Sequence, residues 1–147
     1  MSVEVTLLQK YPLFSDLDET QLCSMAELFQ SESFGSGYTI FEEGKPGATI
    51  FIVTDGEVEM LFAIGEEGEA KVDRIGIGGI IGCSALVRPY SYNATARCLT
   101  QVKVLTTDVS RLRRLFEQEP SMAVMFYEHL IQSLLDRIVN LRLESGK

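Results

Sequence analysis

Histidine is nearly absent from this chain of 147 residues: His129 is the only one, and there is no tryptophan. One histidine excludes the clustered-histidine metal site on which many small β-barrel enzymes rely. Cysteine is scarce as well. Cys23, Cys83 and Cys98 are an odd number at no metal-like spacing, so neither a disulfide framework nor a zinc site is expected. Long apolar runs are missing. The longest uncharged stretch, Ile75 to Val87, is broken by glycine and falls short of the ~18 apolar residues of a membrane span. The start, MSVEVTLLQK, lacks the basic stretch and apolar run of a secretion signal. A cytoplasmic protein with reduced thiols is the expectation, and the Asn93-Ala-Thr glycosylation match is then incidental. No G-x-S-x-G elbow occurs, and GIGGIIG is neither a dinucleotide fingerprint nor a phosphate loop ending in Lys-Ser/Thr.

What is present describes an ordinary globular chain. Hydrophobic residues make up 46% and charged residues 23%, which argues against disorder. The length suits one domain, residues 1–147. The net charge of -8 is uneven: residues 1–110 carry 7 Lys/Arg against 16 Asp/Glu, and residues 111–147 carry 6 against 5. Such an acidic surface repels DNA phosphates and anionic membranes, so neither is an expected partner.

Periodicity divides the chain into three parts. Residues 1–33 read as an N-terminal helical segment, with Asp18 and Gln21 as a capping box and Leu22, Met25, Ala26 and Phe29 on one face. Residues 34–108 read as short strands separated by turns, the pattern of an all-β roll or barrel. In this part the Asp55-Gly56 pair reads as a hairpin turn joining TIFIVT to EVEMLFAI. Residues 110–145 read as helices, with Ser110 as an N-cap and Pro120 at the first position of a longer helix. On that helix Val124, Tyr127, Ile131, Leu134, Ile138 and Leu141 form a heptad seam, widened by Leu130 and Leu135. The seam predicts a helix shared between its own barrel and a second copy, giving a homodimer; the alternative is packing on its own barrel only.

The densest glycine lies between the β part and those helices, in GIGGIIGCSALVRPYSYNATARC, which opens with four glycines in seven residues. Glycine is entropically costly, so the backbone must need it there. Together with YPLFSDLDETQL and GYTIFEEGKPGATIFIVTDGEVEM, this stretch resembles the cyclic nucleotide-binding domain family, over roughly Leu7 to Leu143. The resemblance implies a mainly β fold with flanking helices: a jelly-roll β-roll of about eight strands, short N-terminal helices and a long C-terminal helix. It also implies that GGIIGCSAL…NATA is the phosphate-binding cassette. There a short helix aims its N–H groups at a cyclic phosphate. A glutamate holds the ribose, and an arginine pairs with the phosphate.

By that resemblance Gly82, Cys83, Ser84, Ala85, Arg88, Tyr92, Asn93 and Ala94 are the candidate ligand-binding residues. Gly82, Ala85 and Leu86 match the family pattern. Cys83, however, stands at the glutamate position, Tyr92 at the arginine position and Asn93 at the Ser/Thr position. Hydrogen bonds to charged groups contribute about 1.5–3 kcal/mol each, so losing two weakens binding on the order of a hundred- to ten-thousand-fold. Arg88 lies in the same loop, beside a proline, and reads as a solvated loop residue. Arg97 has the wrong strand parity to replace a group at position 92. Tyr92 suits stacking or a neutral hydroxyl contact. Cys83 is the one candidate nucleophile, although a free cysteine more often behaves as a small buried hydrophobe.

The expected function is a non-enzymatic regulatory or sensor domain with weak or no binding of cyclic AMP or cyclic GMP. It has no assigned cofactor, and its possible ligand is a cyclic nucleotide or another small molecule. The alternative is a dimerising interaction module whose pocket is filled; an inward-pointing Tyr92 favours the alternative, and an open pocket favours the sensor. A third reading is a fragment of a transcription regulator lacking its helix-turn-helix, which by itself does not bind DNA. A cupin-type enzyme is opposed by the single histidine.

Overall fold

The structure, a computed structural model, describes residues 3–66 and 68–145. It divides into two compact units, one of residues 29–110 and the other of the described residues before and after them.

The β unit holds eight strands: β1 (Phe29–Phe34), β2 (Thr39–Phe41), β3 (Thr49–Asp55), β4 (Val58–Ala63), β5 (Glu69–Ile75), β6 (Ile80–Ile81), β7 (Thr95–Cys98) and β8 (Val102–Asp108). They form two four-stranded antiparallel sheets, ordered β1-β8-β3-β6 and β2-β7-β4-β5. This is the jelly-roll architecture expected from the sequence. Phe41, Phe51, Val53, Val58, Ala96 and Cys98 are among its buried apolar residues. Burial pushes the Cys98 thiol pKa up from its ordinary value, as expected of a cysteine serving as a small core hydrophobe.

Three local readings of the sequence are corrected. The Asp55-Gly56 pair does not close a hairpin, because β3 and β4 lie in different sheets. Gly56, at φ +86, carries the chain from one sheet to the other where a Cβ would run into the Gln101 carbonyl. Glu57 then binds Leu99 and Thr100 through its backbone, which commits β4 to pair with β7. The true hairpin is the next one, β4 with β5.

The β part also starts earlier than residue 34. Phe29 is buried as expected, but on β1, where it stands opposite Thr107 of β8. An edge strand with the burial pattern of one buried, four exposed and one half-buried residue leaves no alternating signal in its sequence. Finally, the cap of the first C-terminal helix, α3 (Val109–Gln118), is Asp108 rather than Ser110. The Asp108 carboxylate accepts from the Ser110 N–H at 2.8 Å and from its hydroxyl at 2.6 Å. A carboxylate at this position also meets the positive end of the helix.

Thr107 on β8 is 2% exposed, and its hydroxyl oxygen is a buried atom with no hydrogen-bond partner. A buried unsatisfied polar group costs about 1–3 kcal/mol. Thr107→Val keeps the shape and removes the hydroxyl, so it is expected to stabilise the protein by about 1 kcal/mol, read as a raised midpoint in urea. A lowered midpoint would mean that the hydroxyl is satisfied in solution.

The helical unit contains α1 (Val5–Leu8), a 3₁₀ turn at Pro12–Phe14, α2 (Glu19–Ala26), most of α3, and α4 (Pro120–Ser145). The capping box of α2 is formed: the Asp18 carboxylate accepts from the Gln21 N–H at 2.8 Å, and the Gln21 side chain accepts from the Asp18 N–H at 3.0 Å. Pro120 opens α4, where its missing N–H costs nothing. Met122, Phe126 and Leu130, four residues apart, form the buried stripe of α4. Phe126 packs against Phe116 with ring centroids 5.2 Å apart. The Pro12–Phe14 turn lies against α4, and just beyond it Asp16 Oδ2 sits 2.7 Å from His129 Nε2. The lone histidine is therefore an ion-pair or hydrogen-bond partner of the N-terminal segment.

Candidate functional site

The cassette follows β6 within the β unit. Gly82 takes a left-handed conformation, φ +81, which lets the chain turn sharply into the 3₁₀ turn Cys83–Leu86. Across from it runs the loop between β2 and β3. The two segments are tied by backbone bonds: Gly44 N–H to the Tyr92 carbonyl at 2.8 Å, Tyr92 N–H to Lys45 at 3.0 Å, and Gly47 N–H to Tyr90 at 2.8 Å. Gly47 and Gly82 are where the Tyr92 ring comes close to a glycine. A Cβ on Gly47 would lie 2.7 Å from the Ala85 Cβ and 3.3 Å from Tyr92 Cε1, and one on Gly82 would lie 3.2 Å from the same Tyr92 atom.

Tyr92 occupies the space that these glycines leave. It is 7% exposed and its ring stacks on Phe41 at 4.0 Å, and Phe41 in turn stacks on Phe51 at 5.7 Å. Its hydroxyl donates to the Thr49 carbonyl at 2.8 Å and accepts from the Thr49 N–H at 3.3 Å. Burial raises the phenol pKa above its ordinary 10.0, and the backbone bonds from Thr49 and Ala48 offset only part of that rise.

The other candidate residues are placed around this ring. Ala85 is buried beside Gly47. Ser84 Oγ accepts from the Asn93 backbone N–H at 3.1 Å, closing the cassette on itself, while Asn93 as a residue is exposed. Cys83 and Ala94 are half-buried. Arg88 is exposed on the loop and makes no hydrogen bond or ion pair with the described residues. Beside it Val87 is 63% exposed, and Tyr90 holds a left-handed φ of +60.

Arg97 follows the cassette on β7, two residues beyond Thr95. It stands opposite Glu59, with Nη1 3.9 Å from Oε1, and borders a cleft of about 460 Å³ whose lining includes none of residues 82–94. Glu43, also on that cleft, accepts from the Ala63 N–H at 2.8 Å.

Phe41, Gly47, Thr49 and Phe51 were not among the candidate residues. Phe41 and Gly47 appear in the sequence only as a strand end and a turn glycine. Thr49 contributes backbone atoms, so its residue type carries no signal.

Residues 31–119 match the family model described as the cyclic nucleotide-binding domain. The chain belongs to the cyclic nucleotide-binding domain family. Among curated proteins it is similar to the cAMP-dependent protein kinase regulatory subunit of Schizosaccharomyces pombe. That match is 28% identical over 110 residues, covering 75% of this chain and 26% of the relative. It is also similar to the CRP-like cAMP-activated global transcriptional regulator of Mycobacterium tuberculosis, 22% identical over 132 residues, covering 90% of this chain and 57% of the relative. The chain thus spans between about a quarter and three fifths of the length of these curated relatives. Among solved structures, a cyclic nucleotide-binding domain from Methylobacillus flagellatus superposes with a TM-score of 0.81 at 19% identity, covering 97% of this chain and 82% of that one. Among the described residues no helix is long and apolar enough to cross a membrane, and no three His, Cys, Asp or Glu side chains gather as a metal site.

Proposed function

We propose that this chain is a non-enzymatic regulatory domain whose cradle is filled by its own Tyr92, and that it binds cyclic AMP and cyclic GMP weakly or not at all. The observation that carries this reading is the position of the Tyr92 ring. It lies against Gly47 and Gly82 and its hydroxyl is seated on Thr49. A cyclic nucleotide would have to expel that ring, and would then meet a thiol at position 83 instead of a carboxylate. The test is titration calorimetry of the full chain with each nucleotide. Dissociation constants weaker than micromolar are expected; a value at or below micromolar would overturn the reading.

The regulatory output is proposed to run through α4, as a homodimer helix. Val124, Ile131, Leu135, Ile138 and Val139 are between 46% and 58% exposed, and Tyr127, Leu134 and Leu141 are half-buried. All of these but Val139 belong to the predicted seam; Leu130, expected to widen it, is instead buried with Met122 and Phe126, and the Tyr127 ring packs edge-on against Phe116 and Phe126. Ile131→Asp with Leu135→Asp removes two apolar side chains from each helix. At about 1.5–3 kcal/mol per buried side chain, dimer dissociation is expected to rise at least about a hundredfold. Light scattering of the wild-type and variant chains checks it; a wild-type monomer at all concentrations would end the proposal.

A further inference from the structure

We propose that the cleft bordered by Arg97 on the β unit binds a small hydroxylated monoamine, of the amino sugar or amino alcohol class, with its ammonium group on Glu42 and Glu43. The cleft, of about 460 Å³, lies where the sheet β2-β7-β4-β5 parts. The last pair of β4 with β7 is Leu61 with Thr95, and β4 runs on to Ala63 beside β5 alone. Opposite, β2 ends at Phe41 and the chain turns away through Glu42, Glu43 and Gly44. The gap between that turn and the end of β4 is the cleft, and the cassette, residues 82–94, contributes nothing to it. Its volume falls within the range of about 300–1,000 Å³ usual for small-molecule sites.

The polar groups of the cleft are held in place but not saturated. Glu43 is tied down twice: its backbone N–H donates to Thr95 Oγ1 at 3.0 Å, and its Oε1 accepts from the Ala63 N–H at 2.8 Å. Its second carboxylate oxygen and the carboxylate of Glu42 make no hydrogen bond or ion pair with the described residues. Thr95 lines the cleft although it is only 8% exposed, and no described residue accepts its hydroxyl proton. Thr39 adds a second hydroxyl with no partner among them. A buried donor and several carboxylate oxygens thus share one cleft with their hydrogen bonds unmade.

The chemistry of the lining identifies the occupant. Residues 29–110 carry 6 Lys/Arg against 11 Asp/Glu, so a cation is drawn to this unit. The carboxylates accept hydrogen bonds, and a primary ammonium offers three N–H donors to them. A quaternary ammonium offers none, and the lining has no aromatic ring to take its charge. A calcium ion takes about six to eight oxygen ligands, whereas among the described residues no three His, Cys, Asp or Glu side chains gather. Arg97, engaged with Glu59 at 3.9 Å, stands on the same cleft and repels a second positive charge, which favours a monoamine over a diamine. The two threonine hydroxyls match hydroxyl groups on the body of the ligand.

The test is titration of the full chain with glucosamine, read by calorimetry and by the amide signal of Ala63 in NMR spectra. Glucose, nearly the same ring without the ammonium, and tetramethylammonium, a charge without N–H donors, are the controls. Saturable binding of glucosamine that moves the Ala63 signal is expected, with neither control saturating at the same concentrations. Glu42→Gln is expected to weaken it about tenfold, the loss of one charge-assisted hydrogen bond discounted for exposure. The Glu42 side chain makes no bond to the described residues, so this variant leaves the walls of the cleft in place. No saturation, an equal response to either control, an unmoved Ala63 signal, or indifference to Glu42→Gln would each overturn the proposal. None of these results depends on whether the cradle binds a nucleotide.

Discussion

The double variant Cys83→Glu/Tyr92→Arg is expected to bind cyclic AMP a hundred- to ten-thousand-fold more tightly than the wild-type chain, an estimate built from two charged hydrogen bonds of about 1.5–3 kcal/mol each. Both changes are needed. Cys83→Glu alone supplies a group for the ribose but leaves the Tyr92 ring against Gly47 and Gly82. Tyr92→Arg alone empties that space and adds the charge for the phosphate, yet leaves a thiol facing the sugar. The double variant should also be less stable without nucleotide, because a guanidinium would replace a side chain that is 7% exposed and unpaired charge is costly to bury. Nucleotide at a hundred times its dissociation constant should then return about 2.7 kcal/mol of stability. Titration calorimetry of the wild type, both single variants and the double variant reads all of this. A folded double variant with no gain in affinity would show that Tyr92 and Cys83 are not what limits binding.

The second large effect is on stability. Tyr92→Ala is expected to cost about 3–5 kcal/mol, the usual range for deleting a buried aromatic side chain. The cavity would open between Phe41, Gly47 and Gly82, and the Thr49 carbonyl would lose its donor. Tyr92→Phe keeps the ring and loses only the hydroxyl, so about 0.5–1.5 kcal/mol is expected, the usual net contribution of one hydrogen bond, here to the half-buried Thr49. Urea denaturation measures both. A loss below about 1 kcal/mol for Tyr92→Ala would mean that the ring is not part of the core and that the cradle stands open.

The same residue ties stability to alkaline pH. The Tyr92 phenol is held above its ordinary 10.0 mainly by burial. The folded state therefore keeps a proton that the unfolded chain releases first. The resulting stability is whole below pH 10.0 and is lost as pH rises through the folded value. Tyr92→Phe should lessen that alkaline loss without abolishing it, because the Tyr11 phenol and the Cys98 thiol are shifted in the same direction by burial.

Much of the architecture was legible because it rests on local chemistry. The capping box at Asp18 and Gln21, the proline at the start of α4, the turn glycines and the cassette glycine Gly82 all act within a few residues of themselves. Their residue types suffice to place them. Strand pairing could not be read in this way. Asp55-Gly56 has hairpin chemistry, yet whether β4 folds back on β3 or crosses to the other sheet depends on Leu99, Thr100 and Gln101, over forty residues away. β1 leaves no strand signal in the sequence because an edge strand with one buried residue is set by its partner β8, not by its own pattern.

The sequence by itself determined the family, the presence of a single histidine, and a thiol and a phenol at positions 83 and 92, because these are matters of residue identity and order. Only the tertiary structure decided where the Tyr92 ring goes. Its seat is made of Phe41, the backbone of Thr49 and the missing side chains of two glycines, brought together from three separate segments. Two of those contributions are backbone atoms or empty space, which leave no mark in a string of residue types.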